Sequence, residues 1–264
     1  MKLKRPQIIT LGVAILAVVL FLLLPRTEEK TVEPEIVSEA NSSNYTDASL
    51  GNLTEGDRLV YDNLQEKLAN ASDPLEKIEL HDSLSNFWEE RNELILAADE
   101  LNAIAEIIAD KPSYFIAGDK YFSAFQATEG EMKSIALEKA IASYETVLEL
   151  NPDDLEAMTS LGVCYVEGAS ITGEPPMKGI GMLMKVLEMD PNNINALVNL
   201  GYFATRSGQF DKAIDRFKKV IEIDPQFADG YLYLSDAYLQ AGKREEAAQA
   251  LEEFMTFIQD EEKK

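Results

Sequence analysis

From about residue 56 onward, apolar residues recur at three- and four-residue intervals, the spacing of one buried helix face. Leu59, Tyr61, Leu64 and Leu68 form a first short stripe. Asp73-Pro74 predicts a helix start, since Pro suits the first helical turn, and Leu75, Ile78, Leu84, Phe87 and Trp88 follow it. Leu94, Ala97, Ala98, Leu101, Ala105 and Ile108 mark the next helix, which Lys111-Pro112 is expected to end. No segment alternates apolar and polar in the manner of a half-buried strand, so the body is expected to be all-α.

The later stripes repeat. Asn151-Pro152, Asp190-Pro191 and Asp224-Pro225 close three successive patterns, and the last two prolines stand 34 residues apart. Gly201-Tyr202-Phe203-Ala204 and Ser235-Asp236-Ala237-Tyr238 hold the same place in consecutive units. A fixed period of this length predicts stacked supersecondary units that bury a continuous core between them. In the most regular unit, Ile194 to Phe227, Leu197, Leu200, Gly201 and Ala204 mark one helix. Gly208 marks the turn, Ala213, Phe217, Val220 and Ile223 the second helix, and Pro225 the stop. Gly201 and Ala213 are the small residues that let two antiparallel helices approach.

These markers resemble those of the tetratricopeptide repeat family. The resemblance covers 113–264, in units 113–154, 155–193, 194–227 and 228–259. Residues 55–112 lack the markers and read as a divergent first repeat or cap. Two intra-repeat turns are expected to be enlarged, by about ten residues near Gln126 to Met132 and by five at Ala169 to Pro176. The resemblance implies a right-handed superhelical solenoid of helix hairpins whose first helices line a concave groove for a protein or peptide partner. On that implication the candidate groove residues are Asn195, Asn199, Tyr202, Arg206, Tyr233 and Asp236, with packing between repeats as the competing reading. Val163 and Leu232 are expected to pack. The Lys and Asn positions of chaperone-tail receptors hold Thr159, Val198 and Leu232, and Val163, Tyr202 and Asp236, which argues against that subclass. The last three repeats loosely resemble the periplasmic repeat domains of cytochrome c maturation factors. An apoprotein-binding factor of that type is thus an alternative, as is an accessory subunit of a membrane enzyme.

The N-terminus changes the picture. Lys2, Lys4 and Arg5 precede an apolar run from Ile8 to Leu24, about 25 Å long as a helix and therefore at the short end of a bilayer span. No small-residue cleavage site follows it, so residues 8–25 read as an uncleaved signal-anchor. The basic flank, residues 1–7, predicts a cytoplasmic tail, and the remainder is expected in the periplasm of a bacterial inner-membrane protein. Residues 26–54, rich in acid, Ser, Asn and Thr, read as a disordered tether.

Composition removes several classes. The 264-residue chain carries a formal net charge of -23, which repels phosphate and argues against nucleic acid as a partner. Cys164 is the sole cysteine, so no internal disulfide is possible, and its apolar setting predicts a buried, inert thiol. His81 is the sole histidine and has no nucleophile motif around it. Neither metal-ligand spacing nor a phosphate loop occurs. No catalytic residue, cofactor or metal is expected. The reading is a membrane-anchored adaptor for envelope or secretion assembly, of unassigned oligomeric state, and not an enzyme.

Overall fold

The computed structural model describes residues 39–261, and every regular element among them is helical. The helices are α1 (Glu39–Gly51), α2 (Glu55–Asn70), α3 (Pro74–Glu89), α4 (Leu94–Ile108), α5 (Lys111–Ala127), α6 (Gly130–Leu150) and α7 (Leu155–Glu167). They continue with α8 (Ala169–Thr172), α9 (Pro176–Met189), α10 (Ile194–Arg206), α11 (Phe210–Ile223), α12 (Ala228–Gln240) and α13 (Arg244–Glu261). The hairpins α3–α4, α5–α6, α7–α9, α10–α11 and α12–α13 each pack on the next, giving a solenoid.

Capping explains where the first helices begin. Asp73, Asp110, Asp154 and Asn193 each accept a hydrogen bond from a backbone N–H in the first turn of α3, α5, α7 and α10. Each such cap stabilises by about 1 kcal/mol over Ala. Asp110 corrects one expectation: Lys111-Pro112 does not end a helix but opens α5, so the expected boundary at 113 falls inside it.

One small position per hairpin sets the helix–helix distance. A Cβ on Gly201 would lie 2.6 Å from the Phe217 ring, and one on Gly118 2.8 Å from the Tyr144 ring. On Gly162 it would meet the Gly179 carbonyl oxygen at 3.1 Å. The terminal hairpins use serine instead. Ser85 Oγ donates to the Ala97 carbonyl at 2.9 Å, and Ser235 Oγ to the Ala247 carbonyl at 2.8 Å, both across twelve residues. The turn follows the same rule. Gly208 and Gly242 have φ of 75° and 77°, and Asn92, with φ 59°, stands in their place. Backbone bonds close each of these turns alike: Glu93 N–H to Trp88 O, Gln209 N–H to Ala204 O, and Lys243 N–H to Tyr238 O. Residues 74–108 are therefore a hairpin in the register of the last two, with Ser85, Asn92 and Ala97 as its markers, contrary to the expectation that it lacks them.

The two expected insertions are accommodated differently. At 169–176 the connection is indeed long, holding α8 and the stretch Gly173-Glu174-Pro175 before α9. At 126–132 the turn is short, only Thr128 and Glu129, and the extra residues lengthen α5 and α6 to 17 and 21 residues.

The largest core gathers Trp88, Phe87, Tyr121, Leu137 and Tyr144 and reaches Cys164; a smaller one surrounds Phe217, Ile214 and Leu234. Tyr45 belongs to the larger core at 7% exposure. Part of the expected tether is therefore helix α1, with its Tyr45 ring seated in the body. Composition pointed to disorder because α1 has few apolar residues; the aromatic ring and its hydroxyl partner supply what the composition lacks. The predicted tail and anchor, residues 1–25, lie outside the described residues. Among the described helices none is long and apolar enough to cross a membrane.

Candidate partner-binding clefts

The first helices of successive hairpins present their corresponding positions side by side, and two clefts open along that face. The first, of about 260 Å³, lies across α5, α7 and α10. Asn195 and Asn199 of α10 line it together with Phe115, Asp119 and Phe122 of α5 and Glu156 of α7. Tyr144 closes its floor, packs on the Phe115 ring at 5.5 Å and donates its hydroxyl to Asp119 at 2.6 Å. Burial, reinforced by Asp119, raises the Tyr144 phenol well above its usual value, so it stays a donor. Asn199 Nδ2 donates to the Asn195 carbonyl at 2.9 Å, leaving its Oδ1 oriented by the helix as an acceptor.

The second cleft, of about 480 Å³, holds the other four candidates, Tyr202, Arg206, Tyr233 and Asp236, between α10, α11 and α12. Tyr202 is 51% exposed, and the Arg206 guanidinium stands 5.5 Å from its ring. Arg206 also ion-pairs with Glu167 of α7, so it ties two first helices together as well as facing the cleft. The Tyr233 ring rests 5.7 Å from Phe217. The six candidates thus divide between two clefts. Val163 packs on the cluster of Leu183, Leu200 and Phe203 and also lines the first cleft, whereas Leu232 remains 38% exposed.

Sequence reasoning missed Phe115, Asp119, Phe122 and Glu156. The signal was present: counted from the small residue, Phe115, Asp119 and Phe122 stand at the same offsets from Gly118 as Val198, Tyr202 and Thr205 do from Gly201. The ten-residue extension of the hairpin hid that correspondence.

Groups that could carry chemistry are engaged elsewhere. Cys164 is fully buried, and burial raises its thiol, which keeps it protonated. His81 Nδ1 pairs with Glu100 Oε2 at 2.7 Å between α3 and α4. Burial raises the Glu100 carboxyl, against the lowering effect of His81. Among the described residues no group of His, Cys, Asp and Glu could hold a metal ion.

Stacked hairpins with a small residue at a fixed place in each first helix, and clefts across those helices, define a helical-repeat domain. Family models of the tetratricopeptide repeat match residues 204–260, 182–215 and 136–154, so the chain carries tetratricopeptide repeats. Among solved structures, the MamA protein of Desulfovibrio magneticus RS-1, from residue 41 to its end, aligns at TM-score 0.50 and 17% identity, over 69% of this chain and 96% of that one. A double mutant of the RS-1 MamA aligns at TM-score 0.51 and 16% identity, over 71% of this chain and 97% of that one. At such identity the likeness is one of fold. No curated protein matches the sequence.

Proposed function

We propose that this protein is a non-enzymatic scaffold whose first-helix face holds an extended segment of a protein partner. The apolar run Ile8 to Leu24 anchors it in a bacterial inner membrane, with residues 1–7 in the cytoplasm and the repeats in the periplasm, where it serves assembly of an envelope or secretion complex. The observation that carries the binding reading is the pair of clefts. They bring Asn195, Asn199, Tyr202 and Asp236 to one face, where amide, phenol and carboxylate remain exposed or half-buried after the core is complete. A rigid face with exposed aromatic and polar groups is the usual form of a peptide-binding repeat surface.

A photo-crosslinking amino acid placed at 199 or 202, in the full-length chain in its native membrane, tests this. The same partner segment should be captured from both sites and not from Glu222, which is exposed on a second helix. Equal capture from Glu222, or none from 199 and 202, refutes the reading. Deleting residues 8–24 should release the protein from the membrane fraction; retention there would refute the anchor.

A further inference from the structure

The two clefts carry different charge. In the second, Arg206 is present and paired with Glu167. The first is lined by two carboxylates, Asp119 and Glu156, and by no cation. The lysines at its margin are committed: Lys111 to Asp154 at 2.6 Å and Lys120 to Glu89 at 2.5 Å. Among the described residues the Asp119 carboxylate accepts the Tyr144 hydroxyl and no other hydrogen bond, and no Lys or Arg lies within ion-pair distance of Asp119 or Glu156, although Lys111 feels the Glu156 charge from further away. Phe115 and Asp119, one helical turn apart on α5, put an aromatic ring beside a carboxylate on the same face.

We propose that the first cleft takes a Lys or Arg side chain of an extended partner segment, held between Asp119 and Glu156 and against the Phe115 ring. This deepens the scaffold reading and rests on it. The volume, about 260 Å³, falls below the roughly 300–1,000 Å³ of small-molecule pockets and suits one long side chain of a chain lying across the groove. The cation gains from two carboxylates at once, each exposed at the cleft and so attracting it through solvent-screened charge, and from the aromatic face. Asn199, its Nδ2 already engaged, offers Oδ1 to a backbone N–H of the same segment. The net charge of -23 draws a cationic segment in from a distance and repels an acidic tail.

The test uses the full-length chain and a positional-scanning library of fluorescein-labelled decapeptides. The tightest binder is remade with arginine, lysine, its neutral isostere citrulline, or glutamate at the preferred position. Arginine and lysine should bind about tenfold or more tightly than citrulline, and glutamate weakest. In the Asp119→Asn, Glu156→Gln double variant the arginine and citrulline peptides should bind within about twofold of each other, at an unchanged melting temperature. Asparagine at 119 still accepts the Tyr144 hydroxyl, so folding is preserved. Peptides that bind without preferring a cation, yet are lost on Asn195→Ala with Asn199→Ala, overturn this inference and leave the scaffold reading standing. A library with no binder sensitive to either pair of changes overturns both.

Discussion

Hairpins α3–α4 and α10–α11 share one skeleton and fill it differently. Each has a small residue in the first helix, a left-handed residue in the turn, and an Ala in the second helix twelve residues after the small one: Ser85, Asn92 and Ala97 in one, Gly201, Gly208 and Ala213 in the other. In α10–α11 the fit is made by shape, with the Phe217 ring lying over the bare Gly201 backbone. In α3–α4 it is made by bonding. Ser85 reaches the Ala97 carbonyl, His81 pairs with Glu100, and Asp99 of α4 gathers Tyr45, Tyr121 and Lys139 from three other helices. Polar contacts, of which the serine bond recurs at Ser235, can thus replace the glycine-and-ring fit at the first hairpin's end of the solenoid. They also tie that end to elements outside its own repeat.

Asp99→Ala should have the largest effect. It strips two tyrosine hydroxyls and one ammonium of their shared acceptor, at about 3 kcal/mol. Hydrogen exchange should quicken in α1 and α4 to α6 and stay unchanged in α10 to α13, since repeats couple mainly to neighbours. Uniform loosening along the chain would erase the distinction drawn between the two hairpins. Gly201→Leu attacks the shape-made hairpin and should cost about 2 kcal/mol by overpacking against Phe217, visible as a lower denaturant midpoint; an unchanged midpoint would show that the Phe217 ring can move aside.

The serine hairpins sharpen the comparison further. Ser85→Ala and Ser235→Ala each remove one buried hydrogen bond and should cost about 1 kcal/mol, read as paired shifts in melting temperature. A loss at one site only would mean that the two hairpins are not held alike. The smallest effect belongs to Asp154. Burial opposes ionisation of its carboxyl, but the Ala157 N–H, Lys111 and Asn151 outweigh burial and hold its pKa below the usual value. A carboxyl lowered in the folded state contributes fully above its unfolded pKa of about 3.9 and loses that contribution as pH falls through the folded value. Asp154→Asn keeps a capping side chain and removes the charge. Its deficit, under about 1 kcal/mol because Lys111 is substantially exposed, should be present at neutral pH and vanish in acid.

The sequence made α10–α11 legible because there the packing rule is written in glycine, alanine and phenylalanine at fixed offsets, and α12–α13 because Gly242 and Ala247 keep those offsets around Ser235. It made α3–α4 legible as helices and not as a repeat, because Ser85 and Asn92 perform the tasks of two glycines through a hydroxyl bond and a tolerated left-handed φ. The ten extra residues of α5–α6 went into helix and not loop, which hid Phe115, Asp119 and Phe122 from the candidate site although their offsets from Gly118 were regular. Helix α1 was hidden most deeply. No periodic stripe announces it, and its attachment depends on Asp99, Tyr121 and Lys139, residues far along the chain that composition cannot connect to Tyr45.

The seat of Tyr45 also has a mechanical consequence. Any tension along the backbone from the N-terminal side enters the described body at Glu39 and must unwind the first turns of α1 before it reaches Tyr45. There it is opposed by the Tyr45 ring and its hydroxyl contacts, and then by buried Ser49 and by Leu50 on the same core, loaded one after another as in the opening of a zipper. Helix α1 would therefore yield first and lengthen under a modest pull, while the hairpins behind it keep their spacing. The attachment would then give slack between a pull on the N-terminal side and the clefts.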